Sequence, residues 1–337
     1  MQIDRPEIKY SALVAEKLED GEMKLSVKSL NTRNFPHNDV LVRVEYSSLN
    51  YKDALSASGN PGVTKSYPHT PGIDAAGVVE WSDDDRFQEG DEVIVTSYDL
   101  GQNTPGGFGQ FISVPGDWIV PLPGGLSLKE SMMLGTAGFT AAYGVRNIIE
   151  SGIQPGDGDI VVTGATGGVG SLAVAILSKI GFSVIAVTGK LDQHPFLENL
   201  GAKKIVSREE VTGVKSSPML ASRWKGGLDT VGGEMLDALL RQTAHNGVVA
   251  CCGNVLGGDL HTSIYPFILR GISLMGIDSG ICLMKDRTEL WQQISEEWKP
   301  RQLGDICREC GLEQLKPEIK KILNGEQIGR VLVNLRD

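Results

Sequence analysis

No cysteine precedes Cys251, and the whole 337-residue chain holds five. An odd, sparse set in a chain of this length excludes a disulfide scaffold and fits a reducing compartment. Two of the five, Cys307 and Cys310, form a lone CxxC in GDICRECGLEQLKPEIKKI; it lacks the second ligand pair of a zinc site and is read as structural. The histidines, His37, His69, His194, His245 and His261, are not spaced as ligands either, so no metal is expected. Positive charge is also short. Against 42 acidic residues stand 32 Lys and Arg, a formal −10 that argues against a general binder of nucleic acid or acidic membrane. No window approaches the about 20 apolar residues of a membrane helix, and the opening MQIDRPEIKYSALVAEK lacks the basic-then-apolar order of a secretory leader. A cytoplasmic protein is the expectation.

What is present is apolar content, at 41% too high for disorder, in a length that predicts two domains. Residues 1 to about 125 read as short β segments, SALVAEK, MKLSVKSL, DVLVRVEYSS, GVVEW, DEVIVTS and GQFISV, parted by turn clusters such as PGGFG and PLPGG. That rhythm predicts an antiparallel barrel or sandwich. From residue 128 helical spacing takes over, in SLKESMMLG and in GFTAAYGVRNIIESG, where Ala141, Ala142, Val145, Ile148 and Ile149 fall on one face. Strands then alternate with helices: DIVVTG, helix VGSLAVAILSKIG, SVIAVTG, helix HPFLENLGA, KKIVS, GLDTVGG, helix EMLDALLRQTAHNG and VVACCGN. Crossovers of this length build a parallel, doubly wound sheet. The fold class is α/β, divided into a β-rich domain over residues 1–127, a nucleotide-binding domain over 128–280, and a tail over 281–337 whose last apolar strand returns to the first domain.

DIVVTGATGGVGSLAVAILSKIG places a glycine-rich turn between an apolar strand and a long helix. Small residues there let the backbone approach a pyrophosphate, and the helix N-terminus offers N–H groups and a favourable dipole. Because strand, turn, helix and next strand all follow in order, dinucleotide binding is predicted. An NAD site usually ends the second strand with an acid for the ribose hydroxyl. Here that point reads VTGK, with Lys190 and no acid, and Arg208 ends the following strand in IVSREE. Two cations suit a 2′-phosphate, so NADPH is the predicted cofactor.

The β-rich first part, the cofactor domain placed second and the returning tail resemble the medium-chain dehydrogenase/reductase superfamily along nearly the whole chain. Zinc-dependent alcohol dehydrogenases of that superfamily carry a ligand cysteine where this chain reads LNYKDAL and Gly-His-Glu where it reads PGIDAAGVV. Here the histidine position is Ile73, and residues 96–115 hold no cysteine for a structural zinc. The motifs SSLNYKDALSASG, PGIDAAGVV, GTAGFTA, VVTGATGGVGSLAVAIL, PFILRG and the closing GR strand resemble the zinc-free quinone oxidoreductase-like branch, and within it the acrylyl-CoA reductases. The resemblance implies a GroES-like catalytic domain with a Rossmann cofactor domain, and NADPH-dependent reduction of acryloyl-CoA to propanoyl-CoA. It places the cofactor phosphates over Thr166, Gly167, Gly168 and Val169, and the adenosine phosphate near Thr188, Gly189, Lys190 and Arg208. It sets Tyr51 by the nicotinamide, with Asn254, Ile268, Ser279 and Asn324 lining the same channel.

In YSSLNYKDALSASG the resemblance expects the nicotinamide and a proton where a metal-binding relative holds zinc. A tyrosine phenol, with an ordinary pKa of about 10, is protonated at neutral pH and suits a proton donor. Tyr51 is therefore the candidate catalytic residue. Asn50 is a candidate donor to substrate or cofactor, and Asp53 a candidate to orient Tyr51 or Lys52; both also suit capping of the helix that KDALSASG begins. A CoA thioester needs cations for its phosphates, with Arg270 and Lys65 as candidates. The alternatives are a quinone or enone acceptor, and a sensor that binds NADPH without turnover. GISLMGIDSG reads as an edge strand, which predicts a homodimer.

Overall fold

The computed structural model describes residues 5–213 and 217–336, so the first four residues of the N-terminal stretch lie outside it. The chain divides into two compact units, one of Met1–Thr136, Gly280–Ser295 and Cys307–Asp337, the other of Ala137–Ser279 and Glu296–Ile306. In the first, β1 (Lys9–Lys17) and β2 (Met23–Asn31) form an antiparallel pair. Then come β3 (Val40–Ser48), α1 (Tyr51–Ala57), β4 (Asp74–Ser82), β5 (Glu92–Thr96), β6 (Phe111–Val114) and β7 (Ile119–Pro121). The alternating valines of β3, Val40, Val42 and Val44, meet Val93, Val95, Ile112 and Phe108 in the core. α2 (Leu128–Glu150) begins in this unit and is broken at Gly135, whose φ of 53° and ψ of −157° are not helical.

The second unit runs β8 (Asp159–Val162), α3 (Gly168–Lys179), β9 (Ser183–Thr188), α4 (His194–Asn199), β10 (Lys204–Ser207), α5 (Arg208–Thr212), β11 (Trp224–Asp229), α6 (Gly233–Gln242), β12 (Thr243–Cys251), α7 (Tyr265–Arg270) and β13 (Ser273–Gly276). Its six strands order as β10-β9-β8-β11-β12-β13, all parallel, the doubly wound arrangement expected. α3 is buried from Gly170 to Leu177, which explains why its sequence is apolar all round.

The tail adds α8 (Met284–Ser295) to the first unit, α9 (Leu303–Ile306) to the second, and β14 (Cys307–Cys310), α10 (Leu315–Leu323) and β15 (Arg330–Asn334) again to the first. β15 pairs antiparallel with β3, so the seven-stranded sheet orders as β14-β15-β3-β4-β5-β7, with β6 beside β3.

Two sequence expectations shift. Residues 128–136 group with the first unit and 296–306 with the second, because Thr136 is bonded to Asp74 while Lys179 and Asn199 bond Lys299 and Asp305. The helix expected to run through TAHNG ends at Gln242, and Thr243 already pairs with Trp224. Arg270 explains the early stop: its guanidinium donates to the carbonyls of Arg241 and Thr243, the groups a longer helix would have used itself.

Candidate functional site

In the second unit the strand ends are fixed by a polar lock. Thr163 Oγ1 donates to Asp229 at 2.7 Å, Thr230 N donates to Thr163 Oγ1 at 3.0 Å, and Gly232 N donates to the other Asp229 oxygen at 2.7 Å. Burial pushes the Asp229 carboxyl above the ordinary carboxylate range, and these donors oppose the shift. The lock joins β8 to β11, beyond whose carboxyl ends open α/β sheets bind ligands.

α3 starts at Gly168 behind Gly167, which supplies no side-chain cap. Among the described residues its first-turn N–H groups have no side-chain acceptor, the state that favours an anion. A Cβ on Gly170 would stand 2.2 Å from the Gly164 carbonyl oxygen, so the helix approaches the turn as closely as only glycine allows. Thr166, Gly167, Gly168 and Val169 thus fit a pyrophosphate. Thr166 and Thr188 hydroxyls share a 3.3 Å hydrogen bond, which ties this turn to the end of β9.

At that end Lys190 N donates to Thr188 Oγ1 at 3.0 Å. Arg208 opens α5, where Ser207 and Glu210 cap each other, Ser207 N to Glu210 at 2.9 Å and Glu210 N to Ser207 Oγ at 3.2 Å. Its Nε and Cζ lie 3.0 and 3.1 Å from where a Cβ on Gly189 would stand, so the guanidinium rests against the Gly189 backbone. Arg208, from the start of α5, thus packs against the turn after β9, the turn that also holds Lys190.

An open cavity of about 570 Å³ lies at the ends of β12 and β13, and its wall includes Gly232, Cys251, Cys252, Asn254, Asp259 and Asp278. Of the residues expected along the nicotinamide channel, Asn254 lines it. Ser279 is buried instead, its hydroxyl bonded to that of Thr140 at 2.6 Å, and Ile268 is 62% exposed on α7. Asn324 belongs to the first unit, where it ends α10 and donates to Glu326. Burial raises both thiols of the Cys pair, Cys252 to about 12, in keeping with inert side chains.

The first unit holds a buried polar centre around Asp74. One carboxylate oxygen accepts from Ser48 Oγ at 2.6 Å, Asn50 Nδ2 at 2.7 Å and Thr136 N at 2.9 Å, and the other accepts from Thr136 Oγ1 at 2.5 Å. Arg330, also buried, stands 3.8 Å away and donates to Leu49 O, Asn50 Oδ1 and Ser48 Oγ at 3.0, 3.1 and 2.7 Å. The break in α2 is what admits these groups. A Cβ on Gly135 would meet both Asp74 Oδ2 and Ser48 Oγ at 2.4 Å.

Asn50 and Asp53 are corrected by this geometry. The Asn50 amide is bonded on both sides within the polar centre, with Nδ2 also donating to Ser48 O at 3.3 Å, so it is not offered to a ligand. Asp53 is fully buried and accepts from Asn50 N and Ile73 N, each at 2.7 Å; it caps α1 and fixes the loop before β4 rather than orienting Tyr51 or Lys52. Burial, reinforced by Asp74, pushes its carboxyl up to about 7 against the pull of those donors. Tyr51, the first residue of α1, is half-buried, and its hydroxyl has no hydrogen-bond partner among the described residues. Arg270 is withdrawn as a phosphate ligand because its guanidinium is spent on the carbonyls of Leu220, Arg241 and Thr243; Lys65 is exposed. Among the described residues no group of three or more His, Cys, Asp or Glu side chains is arranged to hold a metal.

The sequence reading missed Asp74, Thr136 and Arg330. The available signal was an arginine inside the apolar run GRVLVN, since a charge in a core strand needs a partner.

Two families match the chain, the alcohol dehydrogenase GroES-like domain over residues 36–124 and zinc-binding dehydrogenase over 168–296. A Bacillus subtilis protein named as a quinone oxidoreductase, YhfP, is 46% identical over 97% of this chain and 99% of its own; its crystal structure with NAD bound superposes with a TM-score of 0.94. The acrylyl-CoA reductase AcuI of Ruegeria pomeroyi is 41% identical over 97% of this chain and 99% of its own. The yhdH oxidoreductase of Salmonella enterica, solved in complex with NADP, is 41% identical, with a TM-score of 0.94 over 97% of this chain and 100% of that one.

Proposed function

Because the chain belongs to the quinone oxidoreductase-like branch of the medium-chain dehydrogenase/reductase superfamily, we propose that it reduces the α,β double bond of a short enoyl-CoA, acryloyl-CoA to propanoyl-CoA in the simplest case. It is an NADPH-dependent oxidoreductase. When bound, NADPH supplies the hydride that reaches the β-carbon. Thr166, Gly167, Gly168 and Val169 hold the pyrophosphate through the uncapped start of α3, and Lys190 with Arg208 holds the 2′-phosphate. Tyr51 delivers the proton that the α-carbon then needs. The observation that supports this role is that Asn50 and Asp53 are bonded into the protein while the Tyr51 hydroxyl has no partner among the described residues.

Arg208 carries a direct expectation. A charge-assisted hydrogen bond contributes about 1.5–3 kcal/mol, so Arg208→Ala should weaken NADPH binding by about 10- to 100-fold and leave NADH binding unchanged. Fluorescence titration with each nucleotide measures both; equal losses would remove Arg208 from the 2′-phosphate.

A second reading, a quinone or enone acceptor on the same cofactor site, is favoured by the likeness to YhfP. Steady-state NADPH oxidation with acryloyl-CoA, crotonyl-CoA, an enone and a simple quinone separates the two: turnover confined to quinone would sink the thioester reading. Two copies are proposed to pair along β13, which ends its sheet, beside the exposed Ile264, Ile268 and Leu269. Light scattering that returns only the 36.2 kDa single-chain mass would overturn that pairing.

A further inference from the structure

We propose that Asp229 is a positioning residue for the dinucleotide, holding the pyrophosphate turn after β8 in register with the cavity wall after β12. The inference rests on the NADPH reading above.

The strand order sets the task. With the 2′-phosphate at the turn after β9 and the pyrophosphate at the turn after β8, a dinucleotide laid across the strand ends runs on in the order β9-β8-β11-β12. Its second nucleoside therefore falls beyond β11, toward the cavity at the ends of β12 and β13. Neighbouring strands are about 4.8 Å apart, so β8 and β12 stand about 10 Å apart with β11 between them. One ligand must fit both surfaces, and a small error in their separation costs it contacts at one end.

Asp229 is the last residue of β11 and is fully buried. On the β8 side its carboxylate accepts from Thr163 Oγ1 at 2.7 Å, and Thr163 immediately precedes Gly164 of the phosphate turn. Thr230 adds two bonds to the same residue, its N to Thr163 Oγ1 at 3.0 Å and its Oγ1 to Thr163 O at 2.8 Å. On the β12 side Asp229 O accepts from Cys252 N at 3.0 Å, and Val231 O accepts from Leu256 N at 2.8 Å. The second carboxylate oxygen holds Gly232 N at 2.7 Å, where a Cβ on Gly232 would stand 2.9 Å from Gly253 O and 2.6 Å from Gly257 O. Cys252, Gly253 and Gly257 are all wall residues of the cavity.

Interlocking side chains do not set this register. Glycines bring backbone to the junction instead: a Cβ on Gly164 would stand 2.4 Å from Thr230 Oγ1, and one on Gly253 1.8 Å from Thr230 O. The side chain that reaches both the phosphate turn and the start of α6 is that of Asp229.

The test measures Kd by titration for NADPH and for 2′,5′-ADP, which carries the 2′-phosphate and one further phosphate but no second nucleoside. The proteins are the wild type, Asp229→Ala, Thr163→Val and the double variant. Each single variant should weaken NADPH by about 10-fold, the equivalent of one hydrogen bond to a charged group, and change 2′,5′-ADP by less than about 2-fold. Because both substitutions cut one link, the double variant should bind NADPH no more weakly than Asp229→Ala alone. Equal losses on the two ligands would reduce Asp229 to a support of the fold and overturn the proposal, as would unchanged NADPH binding. If Asp229→Ala does not fold, Thr163→Val, which keeps the shape and leaves Gly232 N bonded, decides by the same ratio. Wild-type protein that binds neither ligand would instead sink the NADPH reading itself.

Discussion

Tyr51→Phe is expected to lower kcat for enoyl-CoA reduction by about 10²- to 10⁴-fold, the range of a positioned general acid, with little change in NADPH affinity. The substitution removes one oxygen and leaves the ring. It breaks no hydrogen bond made by the protein among the described residues, so stability should move by no more than about 0.5 kcal/mol. Neither Asn50 nor Asp53 can take over the task. Asn50 is held by Asp74 and Arg330, and both Asp53 oxygens accept backbone N–H groups. The informative readings are kcat and KM measured separately, alongside a nucleotide titration. A rise in KM with kcat intact would mean that the hydroxyl binds acceptor without moving a proton, and unchanged kinetics would remove Tyr51 from the chemistry.

Arg330→Met should cost about 3–5 kcal/mol of stability, because it strands the fully buried Asp74 carboxylate without its cation. Methionine roughly fills the volume but cannot replace the donors to Leu49 O, Asn50 Oδ1 and Ser48 Oγ. Urea unfolding of the single variant and of Arg330→Met combined with Asp74→Asn distinguishes charge from contact. The double variant buries no unpaired charge and should recover part of the loss. A single-variant cost below about 1 kcal/mol would mean that the hydrogen bonds from Ser48, Asn50 and Thr136 suffice for the acid.

Much of the architecture was legible because it is local. Alternation in VLVRVEYSS, the glycine turn before an apolar helix, and the recurrence of strand and helix from residue 159 each announce an element within a dozen residues. That Arg208 comes to lie against Gly189 was legible for the same reason, since consecutive strand ends of a parallel sheet are neighbours in space. The end of α6 was not. The group that stops it, the Arg270 guanidinium, arrives 27 residues after Thr243. The polar centre was less legible still: Asn50 and Arg330 are 280 residues apart, and nothing in either segment names the other. Asp53 shows the third kind of difficulty. An acid three residues into a helix reads equally well as a cap or as a partner for its neighbour, and only the position of Ile73 N decides.

The return of β15 to the side of β3 also sets an order of events on the ribosome. The first unit is begun early, yet Asp74 waits for its counter-charge until residue 330 has been added, after every strand of the second unit has been made. Over that interval β3 lacks the neighbour on one side, where Leu332, Val333 and Asn334 will pair with Ser48, Ser47 and Tyr46. The unit that starts first is therefore completed last, and the growing chain is most open to pairing with other chains while that strand edge is bare.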